Sequence, residues 1–159
     1  MKLGLMLDLT LPKYDYLIQK REGKLYIFDL VRKKYIFLTP EEWVRQHFVN
    51  YLITEKSVPQ KLISLERGLN YNRLAKRSDI VVYGQKGQAL LLIECKASTI
   101  ELNEQVIFQV ATYNVKLRAP FIGITNGLKH FYWKHAEGVK NLSLQELPDF
   151  QEMNKSAEK

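Results

Sequence analysis

Two short apolar runs separated by a polar tetrad dominate the middle of the chain. Residues 79–83 and 90–95 each have the length of a β-strand, and Gln85-Lys86-Gly87-Gln88 between them is typical of a turn. We predict a β-hairpin with a two-residue turn at the centre of this tetrad. The register of such a hairpin sets Asp79 opposite Glu94.

The predicted hairpin is apolar on both faces. One face carries Val81, Tyr83, Leu90 and Leu92, and the other carries Ile80, Val82, Leu91 and Ile93. Strands of this kind lie in the middle of a sheet that is covered on both sides. We therefore expect the hairpin at the centre of a sheet flanked by helices.

Helical patterns stand on both sides of the hairpin. Thr39 is a good N-cap, Pro40 suits the first helical position and Glu42 completes a capping box, so a first helix is expected to begin there. A second capping-box pattern, at Ser98-Thr99-Ile100-Glu101, predicts that another helix begins at Ser98 or Thr99. Apolar residues continue this second helix at helical spacing until Pro120 ends it.

Further strand-like stretches precede and follow these elements. Residues 14–38 hold three of them, which we expect to form a small antiparallel element. A first core strand is expected at 62–67, a buried strand at 121–125 and an edge strand at 129–134. The polar tail from Gln151 is expected to be frayed.

The predicted order of the core is helix-strand-strand-strand-helix-strand, which is an α/β arrangement with a mixed central sheet flanked by helices. The second helix makes the strand that follows it parallel to the strand before it, through a right-handed crossover. By length the chain is one folding unit. We divide it into an N-terminal β element (1–38), a core (39–150) and a polar tail (151–159).

Charge is distributed unevenly along the 159 residues, whose net charge is +7. Residues 1–78 hold 15 Lys and Arg against 8 Asp and Glu, whereas residues 79–159 hold 9 of each kind. A polyanion would be attracted to surfaces that the first half builds. The single cysteine excludes an internal disulfide, and no apolar run is long enough to span a bilayer, so we expect a cytoplasmic protein without a membrane partner.

Asp79, Glu94 and Lys96 are predicted to share one face at the open end of the hairpin. Two carboxylates at cross-strand distance repel each other unless a cation or a proton lies between them. Mg²⁺ prefers oxygen ligands and is often held by one or two carboxylates. The alternative is an ion-pair cluster with Arg73, Arg77 or Lys96 that binds nothing.

This pattern resembles the PD-(D/E)xK nuclease superfamily, in which an Asp begins the second core strand and a Glu-x-Lys ends the third. Ser78 stands where that family often has Pro, and Glu94-Cys95-Lys96 matches the second half unchanged. The closer resemblance is to the N-terminal nuclease domain of type I restriction enzyme R subunits. It rests on residues 38–46, Asp79, Glu94-x-Lys96, Gln109-x-x-x-Tyr113 and Thr125-Asn126-Gly127, which together span roughly residues 38 to 150.

The resemblance implies a restriction-endonuclease-like core and metal-dependent hydrolysis of phosphodiester bonds. Asp79, Glu94 and the backbone carbonyl of Cys95 would hold Mg²⁺ or Mn²⁺. Lys96 would orient the attacking water or stabilise the charge that develops on the phosphate. It would act as a base only if its pKa fell toward neutrality, so we expect a charged, phosphate-binding lysine.

The resemblance also implies supporting residues. The third acid is left open between Glu42, Glu41 and Glu66, and the capping box explains Glu42 without catalysis. Gln109 and Tyr113 share a helix face and are expected to support the active site. The basic residues that we expect to contact nucleic acid are Arg45, Arg73, Lys76 and Arg77.

The predicted function is an Mg-dependent endonuclease that acts on DNA, and the alternative is a catalytically silent module that binds nucleic acid or protein on the same scaffold. The presence of Asp79, Glu94 and Lys96 together favours the enzyme. No translocase motor follows in these residues, so we expect a solitary nuclease or a component that works with a motor or specificity subunit. Cutting both strands would require a homodimer or sequential nicking, and the sequence leaves DNA versus RNA open.

Overall fold

The computed structural model describes residues 6–65, 80–136 and 139–158. The three-stranded N-terminal sheet consists of β1 (Ile18–Arg21), β2 (Lys24–Asp29) and β3 (Lys34–Phe37). The six-stranded sheet consists of β4 (Ile63–Leu65), β5 (Ile80–Tyr83), β6 (Ala89–Cys95), β7 (Phe121–Thr125), β8 (His130–Ala136) and β9 (Val139–Leu144). The helices are α1 (Pro40–Glu55), α2 (Glu104–Leu117) and α3 (Phe150–Ala157). None of these described helices is long and apolar enough to cross a bilayer.

The six-stranded sheet is mixed and lies between helices. Its order is β4-β5-β6-β7-β8-β9, and each neighbouring pair is antiparallel except β6 and β7, which are parallel. α2 connects the parallel pair, because such a pair cannot be joined by a tight turn. α1 and α3 pack on one face of the sheet and α2 packs on the other. The predicted α/β architecture is confirmed.

The hairpin of β5 and β6 has the predicted register but a different turn. Val82 faces Leu91, as predicted. The predicted two-residue turn is wrong, because the N–H of Gly84 donates to the carbonyl of Gln88 over 2.7 Å and leaves a loop of three residues. The register then shifts between Tyr83 and Val82, and this β-bulge restores the predicted pairing.

The bulge changes the face on which Leu90 lies. Pairing passes from Ala89 to Leu91, so Leu90 is the extra residue of the bulge. Strict alternation predicts Leu90 on the same face as Leu92, but Leu90 packs with Leu91 on the side of α1 and α3. The prediction is wrong because one inserted residue breaks the two-residue period of a strand.

α1 begins with the predicted cap and supports the N-terminal sheet. The hydroxyl of Thr39 accepts a hydrogen bond from the backbone N–H of Glu42 over 3.0 Å. Ile27 of β2 and Leu38 pack with Trp43 of α1 in a buried cluster. The predicted antiparallel N-terminal element is therefore confirmed, and its inner face is fixed to the first turn of α1.

α2 begins later than predicted. The predicted start at Ser98 or Thr99 is wrong, because the N–H of Ile100 donates to the carbonyl of Ala97 in a turn and the helix begins only at Glu104. Asn103 is the N-cap, through its side chain. Two cap candidates stand close together in the sequence, and Asn is as favourable in this role as Ser.

The C-terminal part holds two elements that the sequence pattern did not predict. β9 pairs with β8, so the strand predicted at the edge is an inner strand and Trp133 is buried. The predicted frayed tail is wrong as well, because residues 150–157 form α3. Asp149 caps this helix by accepting from the N–H of Glu152 over 2.9 Å, and Phe150 and Met153 are buried in the main core. A short helix with few apolar positions is easily mistaken for a polar tail.

Candidate active site at the carboxyl end of β6

A nearly buried carboxylate and a lysine lie where β6 ends. Glu94 is 6% exposed, and its Oε1 lies 3.1 Å from the Nζ of Lys96. Ile93 and Cys95 pack on the α1 side of the sheet, so strand alternation directs Glu94 to the α2 side. The two charged groups therefore meet at the rim of the sheet, on the face that α2 covers.

Backbone hydrogen bonds hold this pair at the rim. Cys95 is in register with Thr125 of the parallel strand β7. The N–H of Lys96 then donates to the carbonyl of Thr125 over 2.8 Å, which extends the ladder one residue beyond the end of β6. The backbone from which the Lys96 side chain starts is thus fixed by the sheet.

Asn126, directly after β7, ties the neighbouring loops to the same rim. Its Nδ2 donates to the carbonyl of Ile100 over 2.8 Å. Its Oδ1 accepts from the N–H groups of Leu128 and Lys129 over 3.0 and 2.8 Å. These bonds fix the segment that leads from Lys96 to α2. The signal in the sequence is an Asn at a strand end, which commonly closes a turn with its own side chain.

A chain of side-chain hydrogen bonds supports the other face of the rim. Thr125 Oγ1 lies 2.7 Å from Nδ1 of His130, and Nε2 of His130 lies 2.8 Å from Oγ1 of Thr10. Burial lowers the pKa of His130, which favours a neutral ring with one donor and one acceptor nitrogen. No local pattern in the sequence predicts these hydrogen bonds, because only tertiary structure brings Thr10 to the strand end.

Cys95 is buried on the α1 side of the sheet. Its side chain therefore points away from Glu94 and packs as a small apolar residue of the main core. The role of its backbone carbonyl as a metal ligand stays a prediction.

Several predicted site residues lie outside the described ranges: Glu66, Arg73, Lys76, Arg77 and Asp79. In the described part of the hairpin Ile80 faces Ile93, which is the register from which the pairing of Asp79 with Glu94 is predicted. Across residues 6–65, 80–136 and 139–158, no group of three or more His, Cys, Asp or Glu side chains is placed to hold a metal ion. A ligand set that includes Asp79 stays a prediction.

Glu42 lies in an ion-pair network on α1. Arg45 donates through Nη1 to Oε1 of Glu42 over 2.7 Å and through Nη2 to Oε1 of Glu41 over 2.9 Å. Gln46 donates to the other carboxylate oxygen of Glu42 over 3.2 Å. Both Glu42 and Arg45 are nearly buried. This placement engages Glu42 within its own helix and leaves Arg45 little surface to offer a phosphate, so it lends no support to their predicted roles.

Gln109 and Tyr113 lie on α2, which covers the face toward which Glu94 points. Gln109 is exposed, and Tyr113 is half-buried against the apolar cluster beneath the helix. The buried amide of α2 is Asn114, which accepts from the N–H of Ala119 and donates to its carbonyl, both over 2.9 Å. Its hydrogen bonds to Ala119 help to end the helix.

A cleft of about 860 Å³ opens at the opposite end of the sheet. Its walls include Ala89 at the start of β6 and Pro120 just before β7. At about 3.3 Å per strand residue, the start of β6 lies on the order of 16 Å from Glu94. The cleft is therefore separate from the charged pair at the rim.

Comparison with known proteins identifies one family. The family described as type I restriction enzyme R protein N terminus matches residues 40–150. The match begins at the first residue of α1 and ends at the first residue of α3, so it includes the whole six-stranded sheet. No curated protein and no solved structure matches the chain.

Proposed function

The chain belongs to the family of type I restriction enzyme R protein N termini, and on that premise we propose that it is a metal-dependent endonuclease that hydrolyses phosphodiester bonds in DNA. Membership gives the chain a nuclease-related role in restriction. The proposal adds the PD-(D/E)xK chemistry, the divalent cation and the cleavage step.

The pair of Glu94 and Lys96 is the observation that supports this proposal. A carboxylate that is 6% exposed is costly unless charge or hydrogen bonds compensate it. Here a lysine lies 3.1 Å away, and both groups stand at a strand end that backbone hydrogen bonds hold in place. Charged groups held on a rigid strand end with little exposure are suited to a catalytic site.

The donor set is suited to a hard divalent cation. Mg²⁺ is commonly held by one or two carboxylates together with water. We assign Glu94, Asp79 and the backbone carbonyl of Cys95 as the residues that would hold Mg²⁺ or Mn²⁺. The ion, when bound, would supply Lewis-acid activation of the phosphodiester.

Lys96 acts on the phosphate itself in this proposal. Its ammonium would donate a hydrogen bond to a non-bridging phosphate oxygen, where negative charge grows as water adds to phosphorus. The bond between phosphorus and the leaving sugar oxygen then breaks, and the proton that the water loses ends on that oxygen. The products are a phosphate monoester and a free hydroxyl end.

The partners of the proposed enzyme follow from the family. Membership in an R-protein family implies interaction with DNA and association with other subunits. A motor or specificity subunit is the partner that we propose, and a second copy of the chain would allow both strands to be cut at once. Sedimentation of the purified chain with and without duplex DNA would show whether the protein is a monomer or a dimer.

A titration with divalent ions tests the proposed activity. Supercoiled plasmid and single-stranded DNA should be cleaved in Mg²⁺ or Mn²⁺ and left intact in EDTA. Lys96→Ala should abolish cleavage while the thermal unfolding transition is retained. Lys116→Ala, which removes an exposed lysine of α2, is the matched control and should cleave normally. Binding of DNA without cleavage in every metal would instead favour the silent module.

A further inference from the structure

The outer face of the N-terminal sheet carries four aromatic rings. Tyr26 and Phe28 of β2 lie on either side of Ile27, which points into the core. Across the strands Tyr26 pairs with Phe37 and Phe28 pairs with Tyr35, with ring centroids 5.9 and 5.3 Å apart. We call these four residues the aromatic face. On one strand its rings recur at about 6.8 Å, twice the rise per residue.

The aromatic face is not part of the core beneath the sheet. The inner face of the sheet, with Ile18, Leu25, Ile27 and Ile36, packs against Trp43 of α1. On the outer face Phe37 is 53% exposed, and the other three rings are half-buried. Large apolar groups clustered on a surface commonly mark a binding site.

The segment that carries the aromatic face is rich in positive charge. Residues 18–37 contain six Lys and Arg and two Asp and Glu, which is +4 of the chain's net charge of +7. One of the two acids, Asp29, is fully buried and accepts hydrogen bonds from the N–H groups of Val31 and Arg32 over 2.9 and 2.8 Å. Its carboxylate therefore organises the β2–β3 turn and is withdrawn from the outer surface.

One of the cations, Arg21, already lies over two of the rings. The guanidinium carbon of Arg21 is 5.3 Å from the ring centroid of Tyr26 and 5.6 Å from that of Tyr35. The side chain of Gln19 accepts hydrogen bonds from Arg21 and steadies this position. The guanidinium is a planar cationic group, so the position that it takes over these rings is one that a planar base could take in its place.

We propose that the aromatic face binds single-stranded nucleic acid, with bases stacked on the rings and phosphates near the surrounding lysines. Stacking on protein rings requires bases that are not paired in a duplex, and a cationic rim holds the backbone. The charge argues against a second copy as the occupant, because two faces of the same positive sign repel each other. This inference does not depend on the cleavage chemistry at Glu94 and Lys96.

Fluorescence anisotropy in EDTA tests the proposal without any cleavage. The probes are labelled oligothymidylate, labelled oligouridylate and a labelled duplex. Phe37→Leu removes a stacking ring and keeps an apolar side chain, so it should weaken binding of the single strands by about fivefold or more. Phe37→Trp should retain binding. Phe108→Leu is the matched control, because Phe108 is 73% exposed on α2 and away from this sheet.

The charge around the face is tested in the same assay. Lys24→Gln should make the slope of log affinity against log salt shallower by roughly 0.7, the value for one phosphate contact on a single strand. Lys116→Gln on α2 should leave the slope unchanged. The difference between oligothymidylate and oligouridylate identifies which nucleic acid the face prefers, and either preference supports the proposal.

Three results would overturn the proposal. One is equal binding by the Phe37→Leu and Phe108→Leu variants. Another is an affinity for the duplex equal to that for the single strands. The third is a protein that binds none of the probes but self-associates, with the self-association abolished by Phe37→Leu. That result would assign the face to a second copy. If the Lys96→Ala variant loses cleavage but still binds the single strands in EDTA, this surface is separate from the proposed active site.

Discussion

The ammonium of Lys96 lies 3.1 Å from the carboxylate of Glu94, and both side chains are largely shielded from solvent at 19% and 7% exposure. An exposed ion pair contributes little to stability, whereas a shielded pair makes each partner depend on the other. The pair stands at the strand end that the Lys96–Thr125 backbone bond extends. The interaction energy of these two residues is therefore measurable and diagnostic of the site.

A double-mutant cycle on this pair should give a coupling energy of about 1–3 kcal/mol. Glu94→Gln leaves a shielded ammonium without its carboxylate, and Lys96→Met leaves a shielded carboxylate without its ammonium. The destabilisations of the two single variants should therefore add up to more than the destabilisation of the double variant. Urea unfolding of the four proteins measures the coupling. The same cycle on Lys86 and Glu158, an exposed pair 3.8 Å apart, should give less than about 0.5 kcal/mol. Equal couplings for the two pairs would contradict the shielded geometry.

Asp79→Asn should weaken the binding of Mn²⁺ by more than about tenfold. Mutating even a residue that only hydrogen-bonds to a metal ligand commonly reduces the metal affinity by about that factor. Calorimetric titration of Mn²⁺ into the purified chain measures the affinity. Glu94→Gln should show a comparable loss. Glu146→Gln removes an exposed carboxylate far along the chain and should bind as the parent does. Unchanged affinity in Asp79→Asn would remove Asp79 from the ligand set.

Stability should fall as the pH falls below about 6.5, the ordinary pKa of histidine. Burial lowers the pKa of both His47 and His130, so the unfolded chain binds more protons than the folded one between the lowered value and 6.5. The contribution is present above 6.5 and is lost as the pH falls toward the lowered pKa. Unfolding by urea about one pH unit above and one below 6.5 measures this loss. His130→Gln should reduce it, and an equal loss in parent and variant would contradict the assignment.

Met153→Ala should destabilise the chain by about 2–5 kcal/mol, because Met153 is fully buried in the main core. Lys155→Ala on the exposed side of α3 is the matched control and should change stability by less than about 0.5 kcal/mol. Thermal or urea unfolding compares the two. A tail that contributed nothing to the fold would give the same stability for both variants.

Local patterns predicted most of the architecture and missed features that depend on competition or distant contacts. The Thr39 cap, the register at Val82 and Leu91, and the N-terminal sheet follow from short-range chemistry that has one favourable outcome. The start of α2 does not, because Asn103 competes with Ser98 as a cap. Leu90 changes face because a bulge adds a residue, which no alternation pattern can reveal.

In the candidate site, too, local patterns predicted some features and missed those that depend on distant contacts. The spacing of Glu94 and Lys96 places two side chains on one face of a strand, and the structure brings them together. The support from His130 and Thr10 could not be predicted, since Thr10 reaches the strand end only through the path of the N-terminal segment. The burial of Arg45 could not be predicted either, because its neutralisation by Glu41 and Glu42 depends on how α1 is covered.

Because the bulge at Leu90 takes up one residue, the length of the hairpin loop does not set the alignment of the strand end at Glu94. The loop is turned toward solvent, with the Lys86 side chain 74% exposed and open space around Gly87. A peptide tag or a dye-bearing tether placed at Lys86 would therefore extend outward while the pairing of Ile80 with Ile93 is kept. Such a handle would allow the protein to be immobilised or followed one molecule at a time with its charged strand end unobstructed.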